Sequence, residues 1–323
     1  MYFITGGLGL IGRWLTKILL DTGERVTTFS RSSGEKAEEA FGERKKNWTH
    51  VRGNLDSITD VMQALKISKA KSIFHIGGML SIPSENNPQA CFNTNTVGMF
   101  NILESARLFD IEQVIYASSN GTYGLGLDGL SRIDDDTVQR PTTIYGCTKV
   151  YGELLGRYYR KKYNLDFRGL RIPAVVGPGS KTKHVSIYNA WAVEKSLLGE
   201  PYEIFVTPET KCPFIYFKDA AEAFQKLAAV PAERIKTVNY NIAGIKPIPT
   251  AEELKNAICR HVPGARLSFK PETLAMEYQK MHQKIIWDES RAAEEWDWGS
   301  RFGIDDMIVD FEKEIKEHAS WYD

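Results

Sequence analysis

A tyrosine and a lysine four positions apart have the spacing of an acid–base pair. In Tyr145-Gly-Cys-Thr-Lys149 the two side chains would lie one turn apart on the same helix face. A phenol with an ordinary pKa of about 10 is a poor base at neutral pH. A nearby ammonium and an oxidised, positively charged nicotinamide would both favour the phenolate, which could take a proton from a substrate hydroxyl as hydride leaves. A solvated helix face is the alternative explanation.

A serine at the end of a predicted strand favours the catalytic explanation. Ser119 lies in the stretch Tyr116–Gly124, with Asn120 beside it. Its hydroxyl could hydrogen-bond the reacting oxygen and hold it against Tyr145. A simple turn residue is the alternative. We therefore predict that Ser119, Tyr145 and Lys149 are catalytic, and that Ser119, Asn120 and Tyr145 contact the substrate.

A glycine-rich stretch near the start of the chain has the pattern of a phosphate-binding turn. Thr5-Gly-Gly-Leu-Gly-Leu-Ile-Gly12 lies between a predicted strand and a predicted helix. Gly6 would allow the tight turn, Gly9 would let the backbone approach a pyrophosphate, and Gly12 would let the helix pack closely. The helix would direct free N–H groups and its positive dipole end at the phosphates. A purely structural turn is the alternative.

The end of the second predicted strand should decide which nicotinamide cofactor binds. An acidic residue there would hydrogen-bond the ribose hydroxyls of NAD, and an arginine would favour the 2′-phosphate of NADP. The chain has Ser30 and Arg31 at this place. The sequence therefore predicts NAD or NADP, with NADP slightly favoured, although Arg31 could also be a solvated surface residue.

Short apolar runs alternate with amphipathic stretches along the first half of the chain. This alternation predicts an α/β fold with a Rossmann-type, doubly wound parallel sheet, whose ligands sit beyond the carboxyl ends of the strands. We predict strands at Met1–Ile4, Arg25–Phe29, Thr49–Arg52, Ser72–Ile76, Gln113–Ala117 and Phe167–Arg171. We predict helices at Ile11–Asp21, Ile58–Leu65, Asn95–Phe109 and Thr142–Tyr163.

The second half predicts one more strand and helix of this sheet, at Phe214–Ala229, and a smaller C-terminal α/β lobe for the substrate. Further helices are expected at Thr250–His261 and near Ile304–His318. We predict a dinucleotide-binding domain formed by residues 1–172 plus 214–243. Residues 173–213 plus 244–323 would form the substrate lobe.

The composition narrows the class of protein. The 41 basic and 41 acidic side chains cancel, so charge predicts neither nucleic acid nor an acidic partner. Cys91, Cys147, Cys212 and Cys259 have neither metal-binding nor redox spacing, which indicates reduced thiols and no metal site. With no basic-then-apolar leader before Thr5 and no membrane-length apolar run, we expect a cytoplasmic protein that binds a small molecule and no membrane.

Taken together, these motifs resemble the extended short-chain dehydrogenase/reductase family, also called the NAD-dependent epimerase/dehydratase family. The resemblance covers nearly the whole chain and includes the stretch Arg171–Gly179. It implies that Asn54 and Leu55 lie beside the adenine, and that His75 to Gly77 lie under the ribose and pyrophosphate. It implies cofactor contacts by Gly6, Gly9, Leu10, Ile11, Gly12, Ser30, Arg31, Asn54, Leu55, His75, Ile76, Gly77, Asn95, Tyr145, Lys149, Ile172 and Pro173.

Within this family the chain is most similar to the short-chain type of L-threonine 3-dehydrogenase. The similar stretches are Gly78–Ser81, Cys212–Tyr216, Tyr240–Gly244 and Ser290–Trp298. The resemblance implies that Ser81 and Ala174 also contact the substrate. The chain departs from that group at residues 177–186, where Lys181, Lys183 and His184 could bind a carboxylate or phosphate, or could belong to a solvated loop.

The predicted function is hydride transfer between NAD(P) and a small polar hydroxy or keto substrate. A nucleotide-sugar epimerase or dehydratase is the alternative; Ala174 speaks against it, because an alanine side chain cannot hydrogen-bond a sugar. A non-catalytic cofactor sensor is a third possibility, which the presence of all three catalytic side chains disfavours. We also expect a homodimer, through a four-helix contact in which Tyr151, Leu155 and Tyr158–Tyr159 would pack; these residues would suit intramolecular packing equally well.

Overall fold

Seven parallel strands form the central sheet of the protein. The computed structural model describes every residue except 36, 38–40, 128, 280–284 and 323. In the described part, the strands are β1 (Tyr2–Thr5), β2 (Val26–Ser30), β3 (Trp48–Arg52), β4 (Ser72–His75), β5 (Gln113–Ser119), β6 (Arg132–Ile133), β7 (Asp166–Ile172), β8 (Ala174–Val176), β9 (Tyr202–Ile204), β10 (Phe214–Tyr216), β11 (Asn239–Asn241), β12 (Leu267–Phe269) and β13 (Ile286–Trp287). The central sheet has the order β11-β7-β5-β4-β1-β2-β3.

Helices cover both faces of this sheet and also form much of a smaller second part of the molecule. They are α1 (Leu10–Asp21), α2 (Ile58–Ser68), α3 (Ser81–Asn86), α4 (Pro88–Cys91), α5 (Gly98–Leu108), α6 (Ile144–Tyr163), α7 (Tyr188–Leu197), α8 (Phe217–Ala229), α9 (Ala251–His261), α10 (Thr273–Gln279), α11 (Ser290–Trp296), α12 (Ile304–Glu317) and α13 (Ala319–Tyr322). Short 3₁₀ turns lie at Gly42–Asn47, Asn120–Thr122 and Ala232–Arg234, and a π-helical turn at Phe92–Val97 leads into α5.

Two apolar clusters explain why the sheet is wound on both sides. Side chains of α1 and α8, such as Leu15 and Phe224, pack on one face. Side chains of α2, α5 and α6, such as Leu65 and Ile102, pack on the other. Strand β5 is therefore buried almost throughout, as expected for a parallel sheet that is covered on both faces. The predicted Rossmann-type fold is confirmed.

One predicted strand lies elsewhere. The prediction that Phe214 begins another strand of the central sheet was wrong, because β10 pairs with β8 in a separate two-stranded sheet. Pro173 stands between β7 and β8 and has no N–H to continue the ladder, so the chain leaves the sheet at Ile172. The seventh strand is β11, which pairs with β7 through Asn239↔Gly169.

The smaller part of the molecule has an apolar cluster of its own. Strands β8 and β10 contribute Val176 and Phe214, and helices α7, α9 and α12 contribute Val193, Leu254 and Phe311. Helix α9 begins with a capping box, in which the Thr250 and Glu253 side chains each accept a backbone N–H. Helix α7 was absent from our sequence predictions.

Candidate active site

A cavity of about 850 Å³ runs along the carboxyl ends of the central strands. Such a crevice is where ligands of doubly wound sheets bind. Its wall contains most of the side chains that the sequence singled out. They are Gly6, Gly9, Leu10, Ile11, Gly12, Ser30, Arg31, Asn54, Leu55, Ile76, Gly77, Ser81, Ser119, Asn120, Tyr145, Lys149, Ile172, Pro173 and Ala174.

The glycine turn between β1 and α1 is packed so closely against neighbouring backbone that two of its positions have no room for a side chain. A Cβ built on Gly12 would lie 2.2 Å from the carbonyl oxygen of Gly6. Gly6 itself has a φ of +66°, and a Cβ there would lie 2.8 Å from the Cα of Gly77. Only glycine fits these two positions. The exposed Gly9 precedes α1, so the helix start faces the cavity and offers N–H groups to phosphates.

The adenosine end of the cavity is formed where β2 and β3 end. Arg31 is exposed, and its carbonyl oxygen accepts a hydrogen bond from Arg52 Nε at 2.9 Å. The Ser30 and Ser32 hydroxyls are 2.9 Å apart. Two cations and two hydroxyls therefore lie at the place where the sequence predicts the choice between NAD and NADP.

His75 and Asn95 lie behind the cavity wall. Both side chains are buried, and neither lines the cavity. Thr5 Oγ1 lies 2.8 Å from His75 Nδ1 and accepts the N–H of Gly77 at 3.0 Å. Burial, with the charge of Lys149, lowers the pKa of His75 to about 3, so this imidazole is neutral.

Like His75, Asn95 lies behind the cavity wall, where its side chain is hydrogen-bonded to other parts of the protein. Its side chain accepts the N–H of Met79 at 2.7 Å and donates to the Met79 carbonyl at 3.0 Å. It also donates to the Thr148 hydroxyl at 3.2 Å, on the helix that carries the predicted catalytic pair. Both side chains thus hold backbone segments of the cavity wall, and neither lines the cavity itself.

Helix α6 brings the predicted catalytic side chains together. It begins after Thr143, whose hydroxyl accepts the N–H of Gly146 at 3.0 Å, so Tyr145 lies in the first turn. Tyr145 and Ser119 lie side by side: a Cβ built on Gly121 would be 3.3 Å from Ser119 Oγ and 3.5 Å from Tyr145 Cε1. Lys149 Nζ donates to the carbonyl of Ala117 at 2.7 Å and lies 5.6 Å from the centre of the Tyr145 ring.

The electrostatics of these groups favour a protonated tyrosine beside a readily titrated lysine. Burial raises the pKa of Tyr145, and the nearby Ser119 hydroxyl opposes this effect. Burial lowers the pKa of Lys149 to about 8. In the absence of a bound cation, Tyr145 is therefore a proton donor; a positive charge arriving beside it would favour the phenolate.

The loop between β8 and α7 closes the other end of the cavity. Lys181 and His184 line the wall there. Lys183 does not contribute to the cavity wall and forms an exposed ion pair with Glu272 at 3.1 Å. Burial lowers the pKa of His184 to about 4, so its imidazole is uncharged at neutral pH. Of the three predicted anion-binding side chains, only Lys181 remains as a cation on the wall.

Several cavity residues were missed by sequence reasoning. They come from the π-helical turn, from loops and from α10, and the sequence analysis assigned none of them an individual role in the site: Asn93, Thr94, Ser180, Thr182, Ser186, Cys212 and Gln279. Gln279 Nε2 donates to the carbonyl of Val185 at 3.1 Å, so α10 supports the same loop. The alternation of polar and apolar residues gives no signal for such positions.

Two further findings concern the part of the chain that the structure describes. The His, Cys, Asp and Glu side chains there form no group of three or more that could hold a metal ion. No helix in the same part is long and apolar enough to cross a membrane.

Comparisons with known proteins agree with this architecture. The model of the NAD dependent epimerase/dehydratase family matches residues 2–243. The chain is 25% identical to mitochondrial L-threonine 3-dehydrogenase from Bos taurus over 95% of this chain and 80% of that protein. It is 30% identical to an uncharacterized epimerase/dehydratase from Staphylococcus haemolyticus over 80% of each chain.

The fold is also similar to solved structures. L-threonine dehydrogenase from Phytophthora infestans superimposes with a TM-score of 0.86 at 26% identity, covering 98% of this chain and 99% of that one. L-threonine 3-dehydrogenase from Trypanosoma brucei gives a TM-score of 0.86 at 26% identity and 98% coverage of both chains. The glycine turn and the family match together show that the chain is an enzyme of the NAD-dependent epimerase/dehydratase family, within the extended short-chain dehydrogenases/reductases.

Proposed function

We propose that the protein is an oxidoreductase that transfers hydride between a nicotinamide cofactor and a small polar hydroxy or keto substrate. One observation carries the proposal. One continuous cavity has the glycine turn at one end and the neighbouring Ser119 and Tyr145, with Lys149, on the same wall. The tight space around Gly6 and Gly12 fits a dinucleotide backbone.

The chemistry of the chain's own residues follows from their positions. The bound nicotinamide would supply or accept the hydride. Ser119 would hold the substrate oxygen by a hydrogen bond, at hydrogen-bond reach of Tyr145. Tyr145 would donate its proton to a carbonyl oxygen in reduction and take the hydroxyl proton in oxidation. The Lys149 ammonium would favour the phenolate and hold the nicotinamide ribose.

The substrate end favours a small polar molecule. Ser81, Ala174, Thr182 and Ser186 line it together with Lys181, so hydroxyls and one ammonium face the bound molecule. Relatives that share the fold are named L-threonine dehydrogenases, which makes L-threonine the first compound to test. The chain's departure at residues 177–186 makes 3-hydroxy acids without an amino group the second.

For the cofactor we propose a preference for NADP. The exposed Arg31, with Arg52 bonded to its carbonyl, could pair with a 2′-phosphate. The test is a binding titration of the purified protein with NAD, NADH, NADP and NADPH. Tighter binding of the phosphorylated pair supports Arg31 as the discriminator, whereas tighter binding of NAD and NADH rejects it.

A nucleotide-sugar epimerase or dehydratase remains the second candidate, because the matched family model has that name. The same three catalytic residues would serve it. Ala174 on the cavity wall offers no hydrogen bond to a sugar. Turnover of secondary alcohols with release of reduced cofactor supports the dehydrogenase. Tight binding of a uridine or thymidine diphosphate sugar without net cofactor reduction supports the epimerase.

We also propose a homodimer formed through α5 and α6. Tyr151, Leu154 and Tyr158 are exposed at helical spacing on α6, and Phe100 is exposed on α5. Leu155 and Tyr159, which the sequence analysis grouped with them, pack into the core below. Leu154→Glu should convert the dimer to a monomer in analytical ultracentrifugation; a wild-type monomer would reject the proposal.

The division into residues 1–172 plus 214–243 and 173–213 plus 244–323 is proposed on the same basis. The separate apolar cluster to which β8, α7, α9 and α12 contribute supports the second unit, although β10, at the start of residues 214–243, packs into the same cluster. The cysteines Cys91, Cys147, Cys212 and Cys259 are free thiols in the structure. This agrees with a reducing compartment, for which we propose the cytoplasm.

A further inference from the structure

A buried carboxylate lies one helical turn beyond Lys149, on the same helix. The Glu153 side chain is 1% exposed. Its Oε1 accepts a hydrogen bond from the Ser118 hydroxyl and another from Arg171 Nε at 3.0 Å. Its Oε2 accepts from Arg171 Nη2 at 2.7 Å and from Gln139 Nε2 at 3.2 Å. None of the functions assigned above uses this group.

These bonds join the catalytic helix to two strands of the sheet. Ser118 precedes Ser119 on β5, and Arg171 lies on β7. The helix is therefore attached to the end of β5 at two points, through Lys149 to the Ala117 carbonyl and through Glu153 to Ser118. Two attachments one turn apart fix both the distance and the rotation of α6 relative to Ser119.

Arg171 extends the connection to the cavity wall. Its Nη1 donates to the Tyr123 hydroxyl and to the Asp135 carbonyl, each at 2.8 Å. Tyr123 lines the cavity, and its hydroxyl donates a hydrogen bond to Asn241 Oδ1 on β11 at 2.8 Å. The Glu153 carboxylate is thus the shared acceptor of a buried network that reaches from the sheet to the catalytic residues.

We propose that Glu153 is a positioning residue of the acid–base site: it holds α6 against β5 through Ser118 and Arg171, and its negative charge favours the ammonium form of Lys149. The inference rests on the proposed roles of Ser119, Tyr145 and Lys149. A displacement of about 1 Å in such a site can cost about 100-fold in rate. The carboxylate acts without touching the substrate.

The surroundings of Lys149 show why this charge matters. Burial lowers the pKa of Lys149 to about 8, and the interactions with Cys91 and Glu153 oppose the decrease. The ammonium also lies 5.0 Å from the Tyr116 ring centre and 5.6 Å from that of Tyr145. The groups that face Lys149 are thus Cys91, the neutral His75, Tyr116, Tyr145 and Glu153.

The first test needs no substrate. NADPH binding, followed by fluorescence from pH 6 to 10, should weaken in the wild type as the pH rises through about 8. In Glu153→Gln the midpoint should move about one pH unit lower, because an opposite charge has been removed from the ammonium. An unchanged midpoint would overturn the electrostatic part of the proposal. Lys149→Met should lose this pH dependence; if it does not, the proposed role of Lys149 fails, independently of Glu153.

Glu153→Gln leaves Arg171 buried without its counter-charge and could therefore destabilise the fold. A second variant, which keeps this ion pair, tests the positioning role separately. Ser118→Ala removes one attachment and leaves the ion pair intact. It should lower turnover about 10-fold, with a melting temperature and an NADPH midpoint close to those of the wild type. Gln139→Leu is the matched control. Gln139 also donates a hydrogen bond to Glu153, but it does not connect α6 to β5, so its loss should change turnover less than twofold. Wild-type turnover in Ser118→Ala would overturn the positioning role.

Discussion

At the catalytic end, the cavity wall consists of strand ends and the first turn of a 20-residue helix, whereas the substrate end is built from loops. Ser119 is the last residue of β5, and Lys149 donates a buried hydrogen bond to the carbonyl of Ala117 on the same strand. Lys181 and Thr182 are exposed and lie on the loop between β8 and α7. The first end therefore has a geometry that is fixed by the fold, and the second has one that sequence changes can alter at low cost.

The difference between the two ends of the cavity assigns hydride transfer to one end and substrate choice to the other. Hydride transfer needs groups placed to within fractions of an ångström, so it depends on the fixed end. Substrate choice depends on which polar groups face the bound molecule, so it depends on the loop end. The effects of substitutions at the two ends should accordingly differ in size and in whether they change kcat or KM. Three pairs of variants and one single variant test this difference, from the largest expected effect to the smallest.

The largest of these effects should come from Ser119→Ala. Loss of a preorganised donor to the reacting oxygen typically costs about 100 to 1,000-fold in turnover. Ser81→Ala, at the loop end, is the matched control and should raise KM a few-fold with little change in kcat. Steady-state kinetics of both variants provide the measurement. Equal effects at the two serines would remove the distinction between the two ends.

The glycine turn should be the next most sensitive place. Gly12→Ala puts a Cβ 2.2 Å from the Gly6 carbonyl, so the turn must open and cofactor affinity should fall by at least about 10-fold. Gly9→Ala, whose Cβ would lie 3.3 Å from the same oxygen, should be milder. Isothermal titration with NADPH ranks the two. A tighter-binding Gly12→Ala would show that the turn does not hold the phosphates.

Arg31→Ala should weaken NADPH binding about 10-fold, since a hydrogen bond to a charged group contributes about 1.5–3 kcal/mol. NADH binding should stay within twofold, because NADH lacks the 2′-phosphate. The ratio of the two dissociation constants is the quantity to measure. An unchanged ratio would mean that Arg31 is a surface residue and that cofactor choice is made elsewhere.

Lys181→Met should give the smallest change. If the substrate carries a carboxylate near this ammonium, KM should rise about threefold, as expected for a single exposed ionic contact. Lys183→Met is the matched control, because Lys183 is paired with Glu272 and lies off the cavity wall. A larger effect at Lys183 than at Lys181 would contradict the position assigned to the substrate.

The same contrast explains what the sequence could predict. Short apolar runs located six of the seven strands of the central sheet, because most of these strands are buried between helices that carry their own apolar spacing; β11 was not predicted. The grouping of Ser119, Tyr145 and Lys149 on one cavity wall could be predicted because two of them share a helix face and the third ends a strand. Pro173 is visible in the sequence, but the sequence alone does not show that the chain leaves the central sheet there to form β8. The pairing of β10 with β8, outside the central sheet, could therefore not be predicted.

Other positions depend on contacts between distant parts of the chain. Nothing in the sequence indicated that the side chains of His75 and Asn95 would lie behind the cavity wall, in contact with Thr5 and Thr148. The neutral state of His184 follows from burial that only the folded loop creates. The role of Glu153 emerges from partners on β5 and β7, which are separated from it by 35 and 18 residues.

The central claim is that Tyr145 moves the proton while the rest of the cavity binds. Its most direct test compares rates of cofactor reduction by wild type and Tyr145→Phe over a panel of small secondary alcohols beginning with L-threonine, alongside NADPH affinity. Our account predicts turnover by the wild type with at least one compound, a loss of about 100 to 10,000-fold in the variant, and nearly equal cofactor affinity. Equal rates in the two proteins would contradict it.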